Sequence, residues 1–218
     1  MKERDPDVLC VSETWLLPET PDKLVHFENY TIFRCDKGRG GGSCIFVKNT
    51  FTVTPFQTHI DKPVGVEDVW LTLQWRKLPS IVIGCLYRHP KAPTDTFDYI
   101  GQVFNQLLLT KKSFYVLGDF NDDFLSSNSN LKKILANTKL CQVIDKATRT
   151  TSHCATLLDM IITNNRETII SSDVEPCPIG NSWSRLDNRH CKLAQTQTCR
   201  RCYKDYLLCG WLLSWYFL

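Results

Sequence analysis

Phe114-Tyr115-Val116-Leu117-Gly118-Asp119-Phe120-Asn121 is the stretch on which the reading of the fold turns. Four apolar residues give a short buried-strand signal. Gly118 interrupts it, Asp119 and Asn121 follow, and an acid-rich Asp122-Asp123 comes next. In a continuing strand, a carboxylate and a carboxamide two residues apart point to one face, because strand side chains alternate with period two. One can take a proton from water while the other holds an oxyanion or a phosphate oxygen. Gly-Asp and Asn-Asp also form turns by themselves. A turn, however, needs neither the apolar run before it nor the alternate spacing of acid and amide.

Working outward, strand signals dominate. Val8 to Val11 is a short apolar run after Pro6. Tyr30 to Cys35 and Ser43 to Lys48 flank the turn-rich Asp36-Lys37-Gly38-Arg39-Gly40-Gly41-Gly42, which reads as a flexible hairpin connection. Val69 to Trp75 and Ile81 to Tyr87 form the next pair of strands. Asp95 is placed to cap a helix whose apolar face is Phe97, Ile100, Phe104, Leu107 and Leu108. Leu131, Ile134 and Leu135 suggest a second helix, and Leu157 to Ile162 a last clear strand. This order implies an α/β fold: a sandwich of two mostly antiparallel sheets with helices outside. After about Gly180 the rhythm of strand and turn stops. We therefore expect one domain over residues 1–180 and a tail of different character over residues 181–218, disordered or translated out of frame.

Composition narrows the class. A chain of 218 residues, 43% hydrophobic and 22% charged, suits a single soluble domain. The net charge of +3 permits a nucleic-acid partner without arguing for one. Eleven cysteines are scattered, several within apolar runs, and no signal peptide precedes them. Reduced core thiols in a nuclear or cytoplasmic protein are expected, and secretion is not. Cys199-Arg200-Arg201-Cys202 has metal-like spacing but lacks a second pair. The apolar stretch from Tyr206 to Leu218 is shorter than the ~20 residues a membrane span needs, so no membrane partner is expected.

Other stretches supply chemistry. Glu13 follows the first strand in Ser12-Glu13-Thr14-Trp15. An acid at a strand's end suits a hard cation such as Mg2+, which takes oxygen ligands and keeps several waters; taken alone it reads first as a solvated loop acid. Tyr87-Arg88 ends another strand, where a phenol and a guanidinium could hold a phosphate, or simply line a sheet edge. Asp159 lies within Leu157-Leu158-Asp159-Met160-Ile161-Ile162, and a carboxylate in an apolar strand needs a partner or a purpose. Thr151 and Ser152 offer hydroxyls for phosphate. Gly38 to Gly42 is no P-loop, for it lacks the Gly-Lys-Ser/Thr ending and the helix that follows.

In order, Ser12-Glu13-Thr14-Trp15-Leu16, Arg39-Gly40-Gly41-Gly42, Tyr87-Arg88, Gly118-Asp119-Phe120-Asn121 and Leu157-Leu158-Asp159-Met160-Ile161 resemble the endonuclease/exonuclease/phosphatase superfamily, most closely the endonuclease domain of non-LTR (LINE-type) retrotransposons. The resemblance covers roughly residues 6–180. It implies a four-layer sandwich and Mg2+-dependent nicking of DNA, with no other small-molecule cofactor. By position, Glu13 holds the metal, Asp119 orients or deprotonates the attacking water, Asn121 binds the scissile phosphate and Tyr87 contacts it. Asp159 orients a histidine near the domain's C-terminus. Arg88 and Thr151 are expected phosphate or DNA contacts on residue type and place, apart from the resemblance. Two departures stand out. The family's first strand, with its metal-site asparagine, is missing from the dozen or so residues before Glu13. The family's closing Asp-His does not appear after Gly180, and Asp187 and His190 have the wrong spacing for it. The sandwich is thus expected to be incomplete at both ends, and the enzyme weakened or inactive. The alternative is a non-catalytic remnant that keeps the fold and at most binds DNA.

Overall fold

The structure, a computed structural model, describes residues 6–151, 153–176, 190–193 and 211–215. The first strand, β1 (Val8–Ser12), is apolar on both faces. Val8 and Cys10 enter the main core, while Leu9 and Val11 join a smaller cluster on the opposite side. The hairpin β2 (Tyr30–Cys35) and β3 (Ser43–Lys48) packs beside it, with β1 antiparallel to β3. Ile45 and Val47 face the main core; Cys44 and Phe46 face the smaller cluster, which Phe27 and Ile32 help to cover.

The second sheet is larger. Its order is β4 (Thr52–Pro55), β5 (Val66–Gln74), β6 (Ile81–Arg88), β7 (Phe114–Asp119), β11 (Asp159–Thr163) and β8 (Cys141–Gln142). Only the central β6–β7 pair is parallel, and α1 (Thr96–Leu109) makes the connection. A parallel pair requires such a crossover, and a helix with one apolar face closes it over the sheet. Phe97, Ile100, Val103, Phe104 and Leu107 form that face. The short α2 (Asn130–Ala136) packs on α1, where Ile134 approaches Gly101. The two-residue strands β9 (Arg149–Thr150) and β10 (Ala155–Thr156) pair with each other. They extend through β13 (His190–Leu193) to β12 (Glu175–Pro176), and β14 (Trp211–Trp215) lies antiparallel to β1.

The mixed α/β architecture of two sheets with few helices is therefore as expected, and the strand at 114–119 decides it as anticipated. Some details differ. Asp95 stands at the helix start but makes no side-chain capping bond, because its backbone is already in helical geometry. β5 begins at Val66, three residues before the apolar run suggested, because Glu67 and Asp68 find cationic partners in Lys37 and Lys62. Both α-helices follow strands of the larger sheet, and a short 3-10 turn at Asp22–Leu24 is tied to β2 of the smaller one by the Arg34–Asp22 ion pair. Among the described residues, no helix is long and apolar enough to cross a membrane. Cys199 and Cys202, Asp187 and most of the tail lie outside the described residues.

Candidate active site

Strand register assembles the site. Glu67 on β5 faces Tyr87 on β6, Tyr87 faces Asp119 on β7, and Asp119 faces Asp159 on β11. Directly opposed residues put their side chains on one face, so three acids and a phenol form a row across four strands. The chain after β1 completes it from the other sheet. Glu13, at a left-handed φ of +54°, accepts a 2.6 Å hydrogen bond from the Tyr87 hydroxyl. The Tyr87–Glu13 bond thus joins the two sheets at one rim. Tyr87 is almost wholly buried, and burial, then the Glu13 bond, holds its hydroxyl protonated well above the usual range.

Asp119 and Asn121 do come together, though not by strand alternation. β7 ends at Asp119, and Asn121 takes a left-handed φ of +45°. Its backbone N–H then donates to Asp119 Oδ1 at 2.8 Å, and its Nδ2 donates to Asp119 Oδ2 at 3.2 Å and to the Arg88 carbonyl at 2.7 Å. Both amide protons are spent, so Asn121 braces the carboxylate. A phosphate can recruit Nδ2 by displacing the longer of the two bonds. The acids that follow are structural. Asp122 accepts from Ser129 and from the Leu131 N–H at the start of α2, and Asp123 accepts from the Leu157 N–H. These bonds anchor the loop that carries Asn121 to a helix and to the chain entering β11.

Asp119 is pushed up to about 7, first by burial and then by the Glu13 charge; the Asn121 N–H, Arg149 and Arg88 pull the other way. Asp159 is completely buried, and neither of its carboxylate oxygens has a hydrogen-bond partner. Burial and the Asp119 charge raise it well above the usual carboxylate range, with the nearby Thr148 hydroxyl opposing. That hydroxyl accepts from the N–H groups of Leu158 and Asp159, both at 3.1 Å. Replacing Thr148 with valine strands two N–H groups in a dry site, so a loss of about 1–3 kcal/mol in urea unfolding is expected.

The raised acids set a pH dependence for the metal-free protein. An aspartate unfolds to a pKa near ~3.9, below the folded value of Asp119. The folded state therefore binds the proton more tightly, and stability falls as pH rises from about 4 to about 7. Asp159 acts in the same direction. Urea midpoints in a chelating buffer should be lower at pH 8 than at pH 5.5, and Asp159→Asn should flatten the difference. A midpoint that rises with pH would contradict this assignment.

Arg88 hydrogen-bonds within the site through its backbone carbonyl, and its side chain acts there only through its charge on Asp119. Its Nε donates to Thr96 Oγ1 at 2.7 Å and its Nη2 to the Ala92 and Pro93 carbonyls, and the guanidinium lies 4.2 Å from the Phe97 ring centre. A buried guanidinium committed in this way ties β6 to α1, a different task from the phosphate contact expected. Thr151 is likewise engaged in its own turn, where its hydroxyl accepts from the Cys154 N–H at 3.0 Å. Sequence reading missed Glu67 and Arg149. Glu67 fell outside the apolar run assigned to β5, and Arg149 belongs to a strand too short to show a period.

Among the described residues, no three His, Cys, Asp or Glu side chains stand close enough to chelate a cation unaided. The donors nonetheless suit a hard one. Glu13, Asp119 and Asp159 carry oxygen donors whose charges repel, and Asp159 has both oxygens orphaned. Mg2+ typically needs one or two carboxylates, with water and substrate phosphate supplying the rest.

Several solved structures share this fold. Truncated Caenorhabditis elegans TDP2 is 14% identical with a TM-score of 0.56, over 80% of this chain and 77% of that one. D. rerio TDP2 humanized by 14 mutations is 14% identical with a TM-score of 0.54, over 79% and 76%. A Bacteroides thetaiotaomicron mannosyl-6-phosphatase is 14% identical with a TM-score of 0.50, over 70% and 67%. No curated protein matches the chain by sequence. The sequence profile of the Endonuclease/Exonuclease/phosphatase family, whose members are nucleases and phosphatases that generally depend on a divalent metal, matches residues 1–189. With that profile spanning Glu13, Tyr87, Asp119 and Asp159, the chain belongs to the endonuclease/exonuclease/phosphatase family.

Proposed function

We propose that the chain is a Mg2+-dependent phosphodiesterase that nicks DNA, of LINE-type retrotransposon origin, working in the nucleus or cytoplasm at a reduced rate. The observation that carries the reading is the convergence of Glu13, Tyr87, Asp119 and Asp159 on one rim, with Asn121 bonded to Asp119. Glu13, the most open of these acids, would hold the cation. A divalent ion bound there supplies Lewis-acid stabilisation of charge on the phosphoryl oxygens. Asp119, held by two bonds from Asn121, takes the proton of the attacking water. Tyr87 keeps its proton and fixes Glu13 with it; it would contact the phosphate by handing that hydrogen bond over. The preference for DNA draws on the motif wording and on a fold relative: the D. rerio TDP2 solved with a single strand DNA product is 12% identical with a TM-score of 0.50, over 78% of this chain and 75% of that one.

Lack of the closing Asp-His in the sequence removes acid–base help worth ~10²–10⁴-fold in rate. It also favours a second reading, a remnant that binds DNA without cutting it. Supercoiled plasmid, a single-stranded oligonucleotide and a sugar phosphate, each incubated with Mg2+ or with chelator, separate the readings. Slow, chelator-sensitive nicking of DNA with no phosphate release from the sugar supports the nuclease. Binding that weakens steeply with salt, without cutting, supports the remnant. Phosphate release from the sugar alone overturns both.

A further inference from the structure

Glu67 belongs to the row of site residues but to none of the roles above. It lies on β5 directly opposite Tyr87 and is 5% exposed. Its Oε1 accepts a 2.7 Å ion-paired bond from Lys37, and its Oε2 is buried without a partner. A half-satisfied buried carboxylate is a poor choice for stability, since an apolar side chain there avoids the desolvation cost.

The residue it grips is at the base of the glycine-rich turn. That turn is not loose. The Gly38 N–H donates to the Leu16 carbonyl at 2.8 Å, the Trp15 N–H to Gly41 at 3.0 Å and the Thr14 N–H to Gly42 at 3.3 Å. A Cβ at Gly41 would stand 2.9 Å from Glu67 Oε2, and one at Gly42, where φ is +95°, would stand 2.4 Å from Thr14 Oγ1. The turn therefore fills the space between Glu67 and the segment just after Glu13, and glycine is what lets it fit. Glu13 and Trp15 both hold left-handed backbone conformations in that segment, at φ +54° and +56°. Such conformations persist where surrounding structure over-determines them.

We infer that Glu67 is a positioning residue: through Lys37 it locks the 36–42 turn onto the backbone of Thr14 and Trp15, and this lock keeps Glu13 in reach of Tyr87. The lock is a property of the fold, and its effect on cleavage rests on the function proposed above. Amide hydrogen exchange at Thr14 and Trp15 tests it in Glu67→Gln, Lys37→Met and the double variant. Either single change should speed exchange at both amides by about tenfold or more, leave Ile83 and Leu86 on β6 unchanged, and make the double variant no faster than the singles. Lys37→Arg should restore protection. In the nicking assay the singles should lower kcat and leave KM for DNA as it is. Unchanged protection at Thr14 and Trp15, or additive effects of the two changes, would overturn the inference. The exchange readout decides it even if the intact protein cuts nothing, and Lys37→Met, at the more exposed end of the pair, decides it if Glu67→Gln does not fold.

Discussion

Asp119→Asn should abolish Mg2+-dependent cleavage and leave the protein folded. The carboxylate is 4% exposed at the end of β7, between Tyr87 and Asp159 in register, and is the group best placed to accept a proton from water. Its raised pKa, about 7, makes it a base matched to neutral pH. Asparagine keeps the shape and an oxygen to accept the Asn121 N–H, but cannot accept a proton. Loss of a positioned base costs ~10²–10⁴-fold, which would take an already slow nuclease below detection. Stability should hold or rise above pH 7, because a buried charge crowded by Glu13 is removed. Initial rates of plasmid nicking, with thermal melting of the same samples, check both halves. Retained cleavage would remove Asp119 from the site; a collapsed melt would make its role structural.

Gly118→Ala should be the most destabilising single change in the strand that decides the fold. Gly118 has φ +146°, and a Cβ there would lie 1.8 Å from the carbonyl oxygen of Leu86, its partner on the parallel strand β6. Backbone atoms are in the way, so no rotamer relieves the clash. The strand must shift, and Asp119 moves with it. A cost above ~4 kcal/mol is expected, in the range reserved for strain at special backbone positions. Gly101→Ala is the control: it sits in α1, and its Cβ would meet only Ile134 at 4.0 Å. That change should gain ~0.5–1 kcal/mol from helix propensity. Urea midpoints of the two variants should therefore move in opposite directions. Similar midpoints for Gly118→Ala and the parent would show that β7 is not built as described.

Much of the frame was legible because long apolar runs carry period. β1, β2, β3, β6, β7 and α1 lie where apolar spacing places them. β8, β9 and β10 have two residues each and no period to read. The acids were visible because an acid at the end of an apolar strand is costly without a role. The arrival of Asn121 was visible only as spacing. The bond it makes depends on a left-handed turn that the sequence hints at through Asn-Asp. Arg88 illustrates the opposite limit: residue type suggested phosphate, but a guanidinium's direction is set by Thr96, Ala92, Pro93 and Phe97, residues a linear motif does not connect. Glu67 was hidden for a related reason. Its charge made the start of β5 look like loop, and the lysine that compensates it is 30 residues upstream.

The most direct test is nicking of supercoiled plasmid as Mg2+ is raised, for the parent chain and for Glu13→Gln. A slow rate that saturates with Mg2+, disappears with chelator and needs much higher Mg2+ in Glu13→Gln is the result predicted. Absence of nicking at any Mg2+ concentration, or nicking equally strong in chelator or in Glu13→Gln, would contradict a metal-dependent site built on that rim.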